Sequence, residues 1–227
     1  TKRMLAFHTI SQLGFILAAP VVAGFYALTH GLVKSALFLI AGRLPSRNFK
    51  ELQHQPIDTK IWLALVIASF SISGFPLLSG FGAKILTTQN LLPWQVIAMN
   101  IAALGTTISF AKFIFLPHGA MEISHDETIN EEGKKKEAKL GFWLAMAVLL
   151  GALIAANGVY YEAYTLKNIV KPLVTIAIGW LAYLFIFKKL AIKLPRGSEN
   201  FDHLIGVMSL ILILLFWIIW TQLPISI

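Results

Sequence analysis

The chain has 227 residues, of which 57% are hydrophobic and only 13% are charged. This composition is more apolar than one water-soluble core of that length normally requires, so it indicates a membrane protein. The formal net charge of +8 is gathered into a few short segments between long uncharged runs, and we therefore expect no nucleic-acid partner. The sequence contains no cysteine, which excludes thiolate metal sites, iron–sulfur clusters and a cysteine nucleophile within this chain.

The uncharged runs predict the membrane spans, because a helix needs roughly 20 apolar residues to cross the hydrocarbon layer. Pro20 divides the first run into a helix over roughly 4–19 and another over roughly 21–42. We therefore predict an all-α fold, a polytopic transmembrane helix bundle of seven or eight spans. The long runs free of Asp, Glu, Lys and Arg cover residues 4–33, 61–83, 85–111, 140–161, 172–187 and 204–227.

One of these spans is expected to be broken. Gly74, Pro76, Gly80 and Gly82 cluster in a stretch that is too long for two straight helices, and they predict a discontinuous helix near residues 74–93. A polar connection over 117–139 follows, and then three further transmembrane helices in residues 140–227. Lys171 precedes Pro172 at the expected start of one of these helices, where a lysine suits the membrane interface.

Two lysines lie inside the apolar runs, where a charged side chain costs about 2.5–3.5 kcal/mol at the bilayer centre. Lys34 is too deep in its span to reach the interface easily, and His30 lies one helical turn before it on the same face. Lys84 lies between two long uncharged runs, directly after the predicted break. Unwound backbone at membrane depth is tolerated only where protein or a water-filled cavity surrounds it.

Proton transfer is the chemistry that suits these three residues. A buried amine releases its proton more readily than an amine in water, because desolvation disfavours the charged form. Two such amines titrate in a coupled way, and a histidine is a natural relay between them and water. We predict that Lys34, Lys84 and His30 transfer protons. In the alternative interpretation, Lys34 pairs with a carboxylate of another chain and Lys84 faces a lipid headgroup.

Other polar groups are weaker candidates. Lys112 lies near the end of its span and either joins the proton path or extends its amine to the interface. His8, with polar side chains at positions 9, 11 and 12, either lines a water entrance or forms an interhelical hydrogen bond. Residues 125–127 resemble a metal cluster only superficially, and a solvated loop explains them. We predict no metal and no cofactor in this chain.

Three segments resemble consecutive signatures of a known family. They are KRMLAFHTISQLG at 2–14, ALTHGLVKSALFL at 27–39 and SGFPLLSGFGAK at 73–84. The family is that of the antiporter-like subunits, shared by Mrp-type cation/proton antiporters and the membrane arm of the proton-pumping NADH:quinone oxidoreductase (complex I). The resemblance covers roughly residues 1–116, and the His-x-x-x-Lys and Gly-Phe-x-x-Lys elements are fairly specific when they occur together.

A full subunit of that family has two related five-helix bundles, and the resemblance implies that residues 1–116 form the second. By the same resemblance, Lys34 corresponds to the central lysine of the middle-membrane relay and His30 to the histidine one turn earlier. Lys84 corresponds to the lysine on the broken helix that exchanges protons with one side of the membrane. Tyr26 stands where some members have a second histidine. The first bundle would belong to a missing segment or to a separate chain.

The resemblance implies a multi-pass integral membrane protein of a bacterial plasma membrane or another energy-transducing membrane. Its partners would be membrane lipid and the other membrane subunits of a multi-subunit complex. We expect the C-terminal half of a proton-translocating subunit of a cation/proton antiporter or an NAD(P)H:quinone oxidoreductase, with no redox site in this chain. Two alternatives are a non-transporting scaffold subunit of such a complex and an unrelated transporter with a substrate pocket near Gly80.

Overall fold

The computed structural model describes residues 1–119 and 129–188, with the backbone alone over 129–139, and the helical positions 206, 209, 210, 213 and 214. Residues 1–189 form one compact unit and residues 190–227 form another. The elements of the first unit are α1 (Lys2–Ala18), α2 (Ala23–Ala41), α3 (Phe49–Leu52), β1 (Ile57–Asp58), α4 (Thr59–Ser73), α5 (Ser79–Gln89), α6 (Pro93–Ile114), β2 (His118–Gly119), α7 (Ile129–Gly158) and α8 (Leu166–Ala182), which a turn of π-helix (Tyr183–Phe187) extends.

The prediction of an all-α membrane bundle is confirmed. The strands of the described residues amount to one short parallel pair, in which Ile57 lies opposite His118. Within the described residues, four helices are long and apolar enough to cross a membrane, and α4 is a shorter apolar helix. The predicted span 204–227 lies almost entirely outside the described residues, so the total of seven or eight spans stays a prediction. The four long helices cover Pro20–Ala41, Pro93–Ile114, Leu140–Gly158 and Leu166–Phe187.

Helix α2 lies at the centre of the unit. A short 3₁₀ turn that begins at Pro20 separates it from α1, as the sequence predicts. It packs against α1, α4, α5 and α7, while α6 packs against α4 and α8. The largest apolar cluster joins α1, α2, α4, α6 and α7, and its fully buried members include Leu5, Leu37, Leu65 and Phe110.

The predicted discontinuity lies between α4 and α5 and is confirmed. Helix α4 ends at Ser73 and is capped by Gly74, whose φ of 86° is the left-handed conformation that glycine adopts without strain. Residues 74–78 are not helical, and α5 then begins at Ser79 and is only 11 residues long. A Cβ atom on Gly80 would overlap the carbonyl oxygen of Ser71, so this glycine lets the first turn of α5 lie directly against α4.

Two helix starts differ from the sequence-based expectation. Helix α7 begins at Ile129, within the predicted polar connection 117–139. The residues that follow include several Glu and Lys, which favour helix and continue it beyond the apolar run. Helix α8 begins at Leu166, where the Thr165 side chain accepts a hydrogen bond from the Asn168 amide. The expected start at Pro172 is therefore wrong, because a polar cap begins the helix earlier and the proline lies inside it.

Candidate functional site

Lys34 lies inside the helix bundle. Its side chain is only 5% exposed, and its Nζ atom donates a hydrogen bond to the carbonyl oxygen of Leu5 at 2.7 Å. The same Nζ atom lies 5.9 Å from the centre of the fully buried Phe110 ring, which is within the range of a cation–π contact. Helices α1, α2 and α6 therefore enclose this amine.

Lys84 lies on α5, just after the break, and its amine reaches back to the end of α4. Its Nζ atom donates to the carbonyl oxygen of Ile72 at 2.8 Å. In a continuous helix this carbonyl would accept from residue 76, but Pro76 has no N–H. The carbonyl end of a helix also carries partial negative charge, which stabilises a cation there. A Cβ on Gly74 would lie 3.0 Å from Lys84 Cδ, so this glycine leaves room for the lysine stem.

The two amines have the same kind of surroundings. Each donates to one backbone carbonyl, and each lies near the face of one aromatic ring, Phe110 for Lys34 and Phe15 for Lys84. Among the residues that the structure describes, neither amine forms an ion pair with a carboxylate. Because neutral and protonated amines can both donate to a carbonyl, these sites hold the side chain in place in either protonation state.

His30 and Lys84 line the same small cavity, although they belong to different helices. The cavity has a volume of ≈ 10 Å³, which is about the room that one water requires. Tyr26, Thr29 and Ser71 also line it. The Nε2 atom of His30 is buried and has no hydrogen-bond partner within the described part of the chain. A water in this cavity would therefore have polar neighbours on α2 and α5.

A second, larger cavity borders Lys84. It lies among α5, α6 and α8 and has a volume of ≈ 50 Å³. Its polar lining includes Thr88, Asn100, Lys171 and Thr175. Lys84 thus borders two cavities, one that it shares with His30 and one that it shares with an exposed lysine on α8.

A hydrogen-bonded chain of three polar side chains joins α2, α1 and α6 beside this site. Tyr26 Oη donates to Gln12 Oε1 at 2.5 Å, and Gln12 Nε2 donates to Thr106 Oγ1 at 3.2 Å. Gln12 is fully buried. The sequence marks Gln12 because an amide inside an apolar helix needs a partner. It does not mark Thr106, since a threonine can satisfy its hydroxyl on its own helix, as this one also does with the carbonyl of Ala102.

The remaining candidates lie apart from the two cavities. The His8 ring packs against Phe110 with a centroid separation of 4.8 Å, and its buried Nδ1 atom has no hydrogen-bond partner within residues 1–119 and 140–188. Lys112 lies half-buried in the last turn of α6. Neither residue lines the cavities that border Lys84. The structure therefore groups Lys84, His30 and Tyr26, with Lys34 one turn beyond His30.

Comparison with known proteins identifies similar sequences. Residues 1–109 match the family model described as NADH:quinone oxidoreductase/Mrp antiporter, transmembrane. An uncharacterized protein of Methanocaldococcus jannaschii is 31% identical over 180 residues, which are 72% of this chain and 37% of that protein. A Na⁺/H⁺ antiporter subunit of Alkalihalophilus pseudofirmus is 28% identical over 77% of this chain and 39% of its own length.

Components of NADH-quinone oxidoreductase are also similar to this chain. One of them, NADH-quinone oxidoreductase subunit M of Rickettsia bellii, is 31% identical over 144 residues, which are 57% of this chain and 29% of that protein. The chain thus spans well under half the length of these curated relatives.

Proposed function

We propose that this chain, which belongs to the antiporter-like family of NADH:quinone oxidoreductase and Mrp antiporter membrane subunits, translocates protons through Lys34, Lys84 and His30. The observation that carries the proposal is the position of Lys84, which borders one cavity shared with His30 and a second cavity that reaches α8. A titratable amine between two cavities can accept a proton from one and release it into the other.

In the proposed mechanism, Lys34 holds a proton at the centre of the bundle. His30 lies one helical turn from it and connects it with the small cavity, where one water would bridge His30 and Lys84. Lys84 then releases the proton into the larger cavity. The charges of the two lysines are coupled, because a positive charge on one disfavours protonation of the other. A proton that arrives at Lys34 therefore promotes release from Lys84.

Tyr26 has a supporting role in this proposal. It lines the small cavity and its ring stacks on His30, with a centroid separation of 6.3 Å. Its hydroxyl proton is held by Gln12. We propose that Tyr26 fixes the His30 ring and does not itself carry the proton. His8 and Lys112 lie outside the two cavities, and we leave them out of the path.

We further propose that the chain corresponds to the C-terminal half of a subunit, with residues 1–116 as its second five-helix bundle. The relatives named above are considerably longer than the aligned region, and a missing segment or a separate chain would supply the other half. The chain would assemble with other membrane subunits in a lipid bilayer, in a bacterial plasma membrane or another energy-transducing membrane. No redox step is assigned to this chain.

The scaffold alternative receives less support from the geometry. A non-transporting subunit would use its buried lysines to pair with carboxylates of partner chains. Here both amines already have acceptors within the chain, and the amine of Lys34 is directed into the bundle. The alternative of a substrate pocket near Gly80 is also weaker, because the cavity that this glycine lines, at ≈ 10 Å³, is far below the roughly 300 Å³ typical of small-molecule sites.

The test is proton transport by the full-length protein with its partner subunits in proteoliposomes. Lys34→Ala should reduce proton translocation by on the order of 100-fold, as expected when a proton-transfer group is removed, while the complex still assembles. Lys60→Ala, which removes an exposed lysine of α4, is the matched control and should transport normally. Normal transport by an assembled Lys34→Ala complex would refute the proposal.

A further inference from the structure

The hydroxyl of Tyr164 connects the broken helix to the region between α7 and α8. Its Oη atom accepts a hydrogen bond from the backbone N–H of Leu77, at 3.1 Å. The same oxygen accepts a second hydrogen bond from Nδ2 of Asn157, near the end of α7. One side chain thus links the non-helical segment 74–78 with α7 and with the segment that precedes α8.

The backbone that Tyr164 holds is strained. Leu77 has a φ of 76° and is the one non-glycine residue with positive φ among those described. This conformation is unfavourable for an L-residue and persists only where the surroundings fix it. The side chain of Leu77 does not supply that fixation, because it is 70% exposed. A turn fixes this conformation in part, because the Phe75 carbonyl accepts from the Leu78 amide at 3.2 Å with Leu77 at the third position, and the amide hydrogen bond of Leu77 to Tyr164 fixes it further.

Two further contacts attach the same region to α5. The Tyr164 ring packs against Phe81 with a centroid separation of 5.0 Å, and Phe81 is fully buried. Tyr160 Oη donates to Oε1 of Gln89 at 2.8 Å. Since Phe81 lies near the start of α5 and Gln89 at its end, the α7–α8 connection holds this helix on both sides of Lys84.

We infer that Tyr164, held by Asn157, is a positioning residue that fixes the break and so keeps the Lys84 amine at the Ile72 carbonyl between the two cavities. The inference rests on the proposed proton-transfer role of Lys84. It assigns a role to residues 157–164, which lie outside the region matched by the family model. The connection between α7 and α8 then does more than join two membrane spans, because it sets the geometry of the proton-transfer step.

The first test measures the contact itself in the full-length protein. Tyr164→Phe keeps the ring against Phe81 but removes the acceptor of the Leu77 amide. Hydrogen–deuterium exchange of a peptide covering residues 74–81 should become about 2- to 10-fold faster, as expected for the loss of one hydrogen bond. Tyr161→Phe is the matched control, because Tyr161 lies in the same connection and is 72% exposed. In this variant the exchange rate of the peptide covering residues 74–81 should not change. Unchanged exchange in Tyr164→Phe would overturn the inference.

The second test separates positioning from simple stabilisation. Proton transport in proteoliposomes should be several-fold slower in Tyr164→Phe, with a displaced pH profile, because the amine of Lys84 no longer has a fixed acceptor and surroundings. Asn157→Ala should change both quantities in the same direction to a smaller extent, since the Leu77 hydrogen bond remains. A wild-type rate and pH profile in Tyr164→Phe, despite faster exchange at the break, would refute the positioning role.

A third variant distinguishes a failure of the positioning role of Tyr164 from a failure of the proposed function. Lys84→Arg tests the proton-transfer role alone, because arginine keeps the positive charge but does not release its proton. Full transport by Lys84→Arg would refute the proposed function and with it any catalytic consequence of the Tyr164 contact. Loss of transport in Lys84→Arg together with wild-type behaviour of Tyr164→Phe would refute the positioning role only.

Discussion

The contact between α4 and α5 at Gly80 gives a quantitative prediction. An alanine at this position would place its Cβ atom into the Ser71 carbonyl, 2.9 Å from the carbonyl carbon. The obstacle is backbone, so it cannot rotate away as a side chain could, and α5 must move away from α4. Overpacking of this kind costs typically about 1–3 kcal/mol, and the better helix propensity of alanine returns at most about 1 kcal/mol.

Because the overlap is with backbone, the cost should lie at the upper end of this range, and we expect Gly80→Ala to lower the free energy of unfolding by about 2 kcal/mol, which is roughly a 30-fold change in the unfolding equilibrium. Gly82→Ala is the matched control, because a Cβ there meets the nearest atom, the Tyr160 carbonyl oxygen, only at 3.8 Å. Denaturant unfolding of both proteins in detergent, followed by circular dichroism, measures the difference. Equal unfolding midpoints would refute the close approach of α5 to α4.

Two further predictions concern polar groups inside the helix bundle. Gln12→Leu should cost about 1–3 kcal/mol of stability because it leaves the Tyr26 hydroxyl without its acceptor, and adding Tyr26→Phe should recover part of that loss in the same unfolding assay. Additive effects would contradict the hydrogen bond. Lys84→Met should destabilise the protein by about 1–3 kcal/mol because the Ile72 carbonyl loses its donor. Lys84→Arg should lose less stability because arginine can still donate to this carbonyl. Thermal unfolding measures both variants, and an equal loss of stability would contradict the role of Lys84 as the donor.

Much of the architecture could be predicted from where charges are absent. The division at Pro20 and the break after residue 73 follow from proline and glycine chemistry, and both occur where expected. The pairing of His30 with Lys34 on one face of α2 follows from helical spacing alone. The starts of α7 and α8 did not follow from hydropathy, because polar residues that favour or cap a helix extend it beyond the apolar run.

The contacts of the site could not be predicted, because they depend on backbone atoms and on distant segments. The sequence shows that Lys84 needs a partner, but it does not show that this partner is the carbonyl of Ile72, which Pro76 leaves without a helical donor. Tyr164 and Leu77 are 87 positions apart in the chain. A tyrosine near the end of an apolar run is typical of membrane interfaces and carries no signal of such a contact.

The most direct test of the central claim is proton translocation by the complex that carries Lys84→Arg. Arginine retains the positive charge and can donate to the Ile72 carbonyl, so the variant removes proton release while keeping the helix end satisfied. We expect proteoliposomes with this variant to translocate protons at close to the background rate, with assembly unchanged. Translocation at the wild-type rate would contradict the claim that Lys84 passes protons between the two cavities.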